Sequence, residues 1–308
     1  MQRIKRILFL LVLAGVFVLM VVFLYMFSGQ ETGVLTDAVR SEAPGKFIRL
    51  RHGIVHYVLQ GPDTARLLVF IHGGGITGIE VWRNNIPYFL KQGYRVLSYD
   101  LYGRGYTDRP RADVTPELLG DQLNQLIDTL GIRENFDIVT MSMGAIVALD
   151  YAVNHPQVNK LVMLDPAATG DFVPSWSIRY PVLSDFVMTV YWHPRAVENQ
   201  RKEFVNQPLF EKYTERLRYF MNFKGYKKVN RATWMYILTQ NRLALLKQLP
   251  PDRVLIVYGD HDPFFPNIPQ YQEVYPTLKS VKINDTGHMP HYEKPEEVNP
   301  IIGEFLKK

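Results

Sequence analysis

Residues 7–27 form an unbroken run of 21 residues without a charged side chain, and Arg3, Lys5 and Arg6 stand before it. As a helix rising about 1.5 Å per residue, the run covers roughly 30 Å, the hydrocarbon thickness of a bilayer. The expectation is therefore a cytoplasmic basic stub and a retained transmembrane anchor over residues 1–27. A cleaved signal peptide competes, which would leave a secreted or periplasmic protein. Its apolar region usually spans about 7–15 residues and ends in a small-residue cleavage site, and Tyr25, Met26, Phe27 and Ser28 offer a poor one. A buried core helix is the plainer alternative, and nothing polar interrupts the run. The three basic residues before the span face a mixed flank of Glu31, Asp37, Arg40, Glu42 and Lys46 after it. By the positive-inside rule the N-terminus then lies in the cytoplasm and the bulk of the chain outside it, as a single-pass protein.

Residues 28–46 carry Gly, Ser, Thr and Pro among few large apolar residues and read as a linker. The chain contains no Cys, which excludes a disulfide scaffold, a thiolate metal site and a cysteine nucleophile. Its 35 Lys and Arg against 30 Asp and Glu leave a net charge of +5. That balance suits an anionic surface and is too mild to imply nucleic acid.

From Phe47 onward, short apolar runs alternate with longer segments of helical spacing. Residues 54–59, 67–71, 95–99, 136–141, 160–164, 253–258 and 280–283 are strand-sized and rich in Val, Ile, Leu or Tyr. Thr115, Pro116 and Glu117 make a helix start, Leu119, Leu123, Leu126, Ile127 and Leu130 recur at helical spacing, and Gly131 is a stop. Such alternation predicts an α/β fold with a mostly parallel central sheet flanked by helices. Residues 166–250 break the pattern with helical segments rich in aromatics, among them Trp176, Trp192, Phe204, Tyr213, Phe220 and Trp234. They read as a helical cap inserted before the last strands, with 47–165 and 251–308 as the core around it.

Three stretches carry chemistry. Residues 136–145 read as a strand, a sharp turn at Ser142 and a helix that begins with Met143, Gly144 and Ala145. A side chain at such a turn projects at the C-terminal end of the strand, and the following helix offers the Met143 N–H to an oxyanion. His72, Gly73, Gly74 and Gly75 follow another buried strand, and the glycines allow the close backbone approach that a second N–H donor needs. A phosphate loop is the rival, but its Lys-Ser/Thr ending is missing; His72 reads as a loop-stabilising residue rather than a base. Finally, Gly259-Asp260-His261-Asp262-Pro263 and Asp285-Thr286-Gly287-His288-Met289-Pro290-His291 each follow a strand. A hydroxyl is a poor nucleophile at neutral pH and needs an imidazole base, which in turn needs a carboxylate to orient it. The chain order Ser, Asp, His supplies the three.

These residues resemble the α/β-hydrolase fold family, over nearly everything from Phe47 to Lys308. The resemblance includes Asp100-Leu101-Tyr102-Gly103-Arg104-Gly105-Tyr106-Thr107-Asp108, similar to the family's Asp-x-x-Gly-x-Gly-x-Ser-Asp loop, and the stretch from Glu293 to Val298. It implies Ser142 as nucleophile, His288 as base, Asp262 as orienting acid, and Gly74 and Met143 as backbone oxyanion donors, with no metal or organic cofactor. Asp262 fits a Gly-x-x-Asp-x-x-x-Pro pattern on Gly259, Asp262 and Pro266, while Asp260 competes and Asp165 stands where some members place their acid. The elbow departs from the common Gly-x-Ser-x-Gly in having Thr140, a β-branched residue beside a tight turn. Metal binding by His261, Asp262, His288 and His291 is the alternative chemistry, against which Pro290 and the lack of an HExxH pattern speak. His52, His56, His155 and His193 have no companion motif and default to surface or hydrogen-bonded structural roles.

Ser142 argues against the family's epoxide hydrolases and haloalkane dehalogenases, which use Asp there. What the resemblance implies is ester hydrolysis through an acyl-enzyme, on a small-molecule ester or lipid substrate. C–C bond hydrolases and aminopeptidases share the scaffold, although the latter typically show His-Gly-Gly-Pro-Gly where this chain has His72-Gly73-Gly74-Gly75-Ile76. A catalytically silent, membrane-tethered binding protein is the reading from another class, and the intact Ser142, Asp262 and His288 weigh against it. Lys212, Arg216, Arg218, Lys224, Lys227, Lys228 and Arg231 are opposed only by Glu215 over residues 212–231. Such a run is usually a solvated face; beside an anchor it is also a candidate contact with anionic headgroups.

Overall fold

The computed structural model describes residues 2–264 and 268–308, so Pro266 lies outside the described residues. Eight strands form one sheet in the order β1-β2-β4-β3-β5-β6-β7-β8. They are β1 Lys46–Leu50, β2 Gly53–Gln60, β3 Leu67–Ile71, β4 Arg95–Tyr99, β5 Phe136–Met141, β6 Val158–Leu164, β7 Val254–Gly259 and β8 Lys279–Ile283. β2 runs antiparallel to both its neighbours, and β3 to β8 are parallel throughout. Every residue of β3 and of β5 is buried, as expected of central parallel strands covered by helices on both faces. The strand that sequence patterning does not announce is β1, where only Leu50 is buried.

The helices obey their local signals. Thr115 caps the helix Pro116–Thr129 by accepting the Leu118 N–H at 3.3 Å, and its Leu119, Leu123, Leu126 and Ile127 are buried. Asp100, at the end of β4, is buried and accepts the N–H groups of Ile79 and Tyr106 at 2.7 and 2.9 Å, with the His56 ring at 2.8 Å. The glycine-rich loop after β4 is thereby a structural tie.

Between β6 and β7 the chain is helical, with Pro181–Val187, His193–Arg201, Gln207–Met221 and Tyr226–Ala232 as its longer helices. Two single π-helical turns, Met188–Trp192 and Thr233–Ile237, interrupt this insertion, a feature frequent at functional sites. The basic run at 212–231 is not one solvated face. Lys227 is buried with its ammonium 2.6 Å from Thr189 Oγ1, Arg216 bonds the Tyr106 hydroxyl at 3.0 Å, and Arg231 bonds the Ile178 carbonyl at 2.9 Å.

Helix Gln2–Phe27 is long and apolar enough to cross a membrane, and none of its residues is buried. Residues 28–46 lie against the insertion. Glu31 accepts the Gly225 and Lys227 N–H groups at 2.8 and 2.5 Å, and Gly33 exchanges backbone bonds of 2.9 Å with Asn222 and Lys224.

Candidate active site

Gly74, Ser142, Met143, Asp262 and His288 all follow the C-terminal ends of parallel strands, where open α/β sheets place their ligands. Ser142 follows β5 with φ of 49°, a left-handed conformation that a non-glycine residue adopts only under constraint. The constraint is visible: its N–H bonds the Leu164 carbonyl at 2.8 Å, and its own carbonyl accepts the Ala145 and Ala167 N–H groups at 3.0 and 3.1 Å. Gly144 allows the turn to close. A Cβ there would sit 2.4 Å from Thr140 Oγ1 and 2.7 Å from the His72 carbonyl. Thr140 is accommodated because its hydroxyl bonds the Ile71 carbonyl of β3 at 3.0 Å.

The loop after β3 is held by His72. Its Nε2 accepts the Leu101 N–H at 2.9 Å, so its proton is on Nδ1, which donates to the Gly73 carbonyl at 2.8 Å. In a trans peptide the N–H points opposite the carbonyl, so tying down the Gly73 oxygen aims the Gly74 N–H away from His72. Arg104, fully buried, holds the Gly74 carbonyl at 3.2 Å. Among the described residues, neither the Gly74 nor the Met143 N–H has an acceptor. Burial, opposed by Asp100, lowers His72 to about 4, which keeps the ring neutral in this role.

His288 Nδ1 donates to Asp262 Oδ2 at 2.9 Å, with both side chains buried. Asp262 Oδ1 also accepts the Phe264 N–H at 2.9 Å. Asp260 turns instead to the exposed His261 ring at 2.7 Å. Asp165, with φ of 41°, accepts the Gly259 N–H at 3.0 Å. One ligand atom each of Asp165, Asp262 and His288 lies within 4.8 Å of the others. His291 is not part of this group: its buried ring packs on Trp82 at 4.6 Å, and burial, with the nearby His288, lowers it to about 3. The four residues weighed for a metal therefore do not converge.

Ser142, His288, Gly74 and Met143 line one cavity of about 830 Å³. Trp192 and Trp234, carried on the two π-helical turns and 5.0 Å apart, form part of its apolar wall. A model of the alpha/beta hydrolase family matches residues 68–301. The chain belongs to the alpha/beta hydrolase family. Among its curated relatives, the family member is 26% identical to epoxide hydrolase 3 of Xenopus tropicalis, covering 85% of this chain and 77% of that one. It is 27% identical to 2-hydroxymuconate semialdehyde hydrolase of Pseudomonas sp. (strain CF600), over 78% and 86% of the two chains. It is 22% identical to the carboxylesterase YbfK of Bacillus subtilis (strain 168), over 86% and 88%.

The electrostatics divide the carboxyl groups of this hydrolase-family site. Burial opposes charge on Asp262, but the His288 ring, by charge and hydrogen bond, holds it below the usual carboxylate range. For Asp165, burial and then the Asp262 charge act together and push it well above that range, which favours its protonated form. Burial would lower His288, yet Asp262 outweighs it, Glu203 and Asp165 add to the pull, and the imidazole is pushed up to about 9.

Glu203 is a cavity residue that the sequence reading does not single out. Burial raises its carboxyl to about 7, and its backbone carbonyl accepts the His288 N–H at 2.8 Å. Glu293, quoted only as part of a resemblance, accepts the N–H groups of Val205, Asn206 and Gly287 at 2.8, 2.6 and 2.7 Å. It stitches the insertion to the loop that carries His288. Neither role had a sequence signal, since Glu203 meets His288, and Glu293 meets Val205 and Asn206, across more than 80 positions.

Proposed function

We propose that the chain is a membrane-anchored serine hydrolase that cleaves carboxylic esters, lipid or acyl esters among them. The observation that carries the reading is the buried His288 Nδ1–Asp262 bond of 2.9 Å on the wall of the cavity that Ser142 lines. In this reading Ser142 Oγ attacks the ester carbonyl while His288 takes its proton and then returns it to the leaving alcohol. Water, deprotonated by His288, next releases the acid and restores Ser142. The N–H groups of Gly74 and Met143 take the charge that develops on the carbonyl oxygen. Asp262 orients the imidazole and stabilises its cation. The route as written requires no metal or organic cofactor.

A serine at the elbow forms an acyl ester, whereas the epoxide route of the family uses an aspartate there. Similarity to a carboxylesterase supports the ester reading. C–C bond hydrolysis is the second reading, favoured by the 27% identity to 2-hydroxymuconate semialdehyde hydrolase. Residues 1–27 are the anchor, 166–250 the cap, and 47–165 with 251–308 the core; the N-terminus is cytoplasmic and the catalytic domain extracytoplasmic.

The test is fluorophosphonate labelling of the detergent-solubilised chain and of Ser142→Ala, followed by p-nitrophenyl esters of increasing acyl length. Labelling lost in the variant, with ester turnover, is the expected result. Labelling without ester turnover, and cleavage of a ring-opened dienoate, would move the assignment to C–C hydrolysis. No labelling of the folded chain would overturn both.

A further inference from the structure

Large apolar side chains are exposed in one short stretch of the insertion. Val173 is 80% exposed, Trp176 67%, Tyr180 62%, Val182 88% and Tyr191 51%. Single exposed apolar residues need no explanation, but a contiguous group marks a surface that something covers. The same stretch touches the end of the apolar helix. Tyr25 donates its hydroxyl to Asp185 at 2.5 Å and stacks on Phe186, ring centroids 6.4 Å apart. Val182 and Phe186 stand four residues apart in helix Pro181–Val187 and so share a face.

The geometry fixes the depth of this contact. Tyr25 lies two residues, about 3 Å along the axis, from the end of a run long enough to cross the hydrocarbon core. Whatever touches Tyr25 is therefore at the level of the headgroups. Trp and Tyr with neighbouring Arg are the side chains that suit that level: Arg195 lies 4.3 Å over the Tyr191 ring, and Arg179 is exposed beside Tyr180. The two acids nearby are engaged, Asp171 with Gln270 at 2.9 Å and Asp185 with Tyr25. Val173 and Ser175 are exposed and also line the cavity, as Phe172 and Ile178 do, so this surface is continuous with the entrance to Ser142.

We propose that residues 173–191 bed into the bilayer at headgroup level beside the anchor helix, so that the cavity opens toward lipid and takes amphipathic esters directly from the membrane. The proposal rests on the membrane-anchored ester-hydrolase reading above. It names the source of the substrate: a molecule whose acyl chain stays in the hydrocarbon while its ester reaches Ser142.

The chain has no Cys, so single spin labels can be placed cleanly in the full-length protein reconstituted in phosphatidylcholine–phosphatidylglycerol vesicles. Labels at Val182→Cys and Trp176→Cys should be more accessible to oxygen than to a water-soluble nickel chelate, and a label at Lys91→Cys, an exposed position at the end of a core helix, the reverse. In parallel, Val182→Asp should lower hydrolysis of a long-chain glycerol ester embedded in those vesicles on the order of tenfold, the scale of one buried apolar side chain. Its hydrolysis of soluble p-nitrophenyl acetate should match that of the unsubstituted protein. Labels at 176 and 182 that read as aqueous, or equal loss on both esters, would overturn the proposal. Lipid-exposed labels in a protein that turns over no ester would sustain the docking surface and remove the ester reading alone.

Discussion

Asp165 and Asp262 carry the same side chain into one buried group with His288, within 4.8 Å, and their surroundings push the two carboxyl groups in opposite directions. The His288 ring lowers Asp262 and favours its charged form; burial and a negative neighbour raise Asp165 and favour its protonated form. An amide is close in shape and polarity to a protonated carboxyl. Asp165→Asn is therefore expected to retain kcat/KM within a fewfold, while Asp262→Asn loses on the order of 10³- to 10⁴-fold, the scale seen when an imidazole loses its orienting acid. Equal losses in the two variants, measured on one ester, would reverse the assignment.

Glu203 acts on the same imidazole through its charge. A base must be unprotonated to take the Ser142 proton, so kcat/KM is expected to rise with pH through the His288 value, toward about 9. Above neutrality Glu203, held near 7, is itself ionised and stabilises the imidazolium. Removing that negative charge destabilises the cation, so Glu203→Gln should move the alkaline-rising limb toward lower pH. The check is the kcat/KM profile of both proteins; a limb that stays in place would show that Glu203 does not bear on the base.

At the scale of elements, the turns decide which substitutions the fold survives. Gly144→Ala would drive a methyl into Thr140 Oγ1 and the carbonyls of His72 and Ile71 at 2.4, 2.7 and 2.9 Å, and backbone cannot yield as a flexible side chain does. It is expected to destabilise by about 1–3 kcal/mol or more, read from denaturant unfolding. Gly74→Ala meets nothing nearer than Thr233 Cγ2 at 3.8 Å and should fold as the parent does. The contrast tests whether the glycines near Ser142 serve packing or access.

The parallel strands were legible because each is a short apolar run bounded by turn residues; 67–71, 95–99 and 136–141 coincide with β3, β4 and β5. β1 was not, because an edge strand with one buried residue has no such run. The π-helical turns had no signal of their own, because the sequence around Trp192 and Trp234 reads only as helical. The candidate residues Ser142, Asp262 and His288 stand in local motifs that follow strand ends. Asp165 could be read as a rival but not as the carboxyl pushed upward, since that depends on its burial and on a neighbour 97 positions away.

Across the whole molecule, residues 28–46 decide how the N-terminal apolar helix, the insertion and the core hold together. Read from composition they are a linker, yet Glu31 and Gly33 together make four bonds to the backbone of residues 222–227. Further along, Arg40 is buried and pairs with Asp108, while Glu42 accepts the Tyr219 hydroxyl at 3.2 Å. Four bonds at about 0.5–1.5 kcal/mol each make this segment a brace on the insertion rather than a slack tether. Two deletions separate the possibilities. Removing residues 1–27 takes away a helix with no buried residue and should leave the unfolding midpoint in detergent nearly unchanged. Removing residues 1–46 exposes the Gly225 and Lys227 N–H groups and leaves Asp108 without Arg40, and should cost about 2–6 kcal/mol. Because the insertion walls the cavity over Ser142, the longer deletion should also raise KM for soluble esters, whereas the shorter should not. Identical midpoints and KM values for the two truncated proteins would mean that residues 28–46 are only a tether, and that the insertion keeps its place without them.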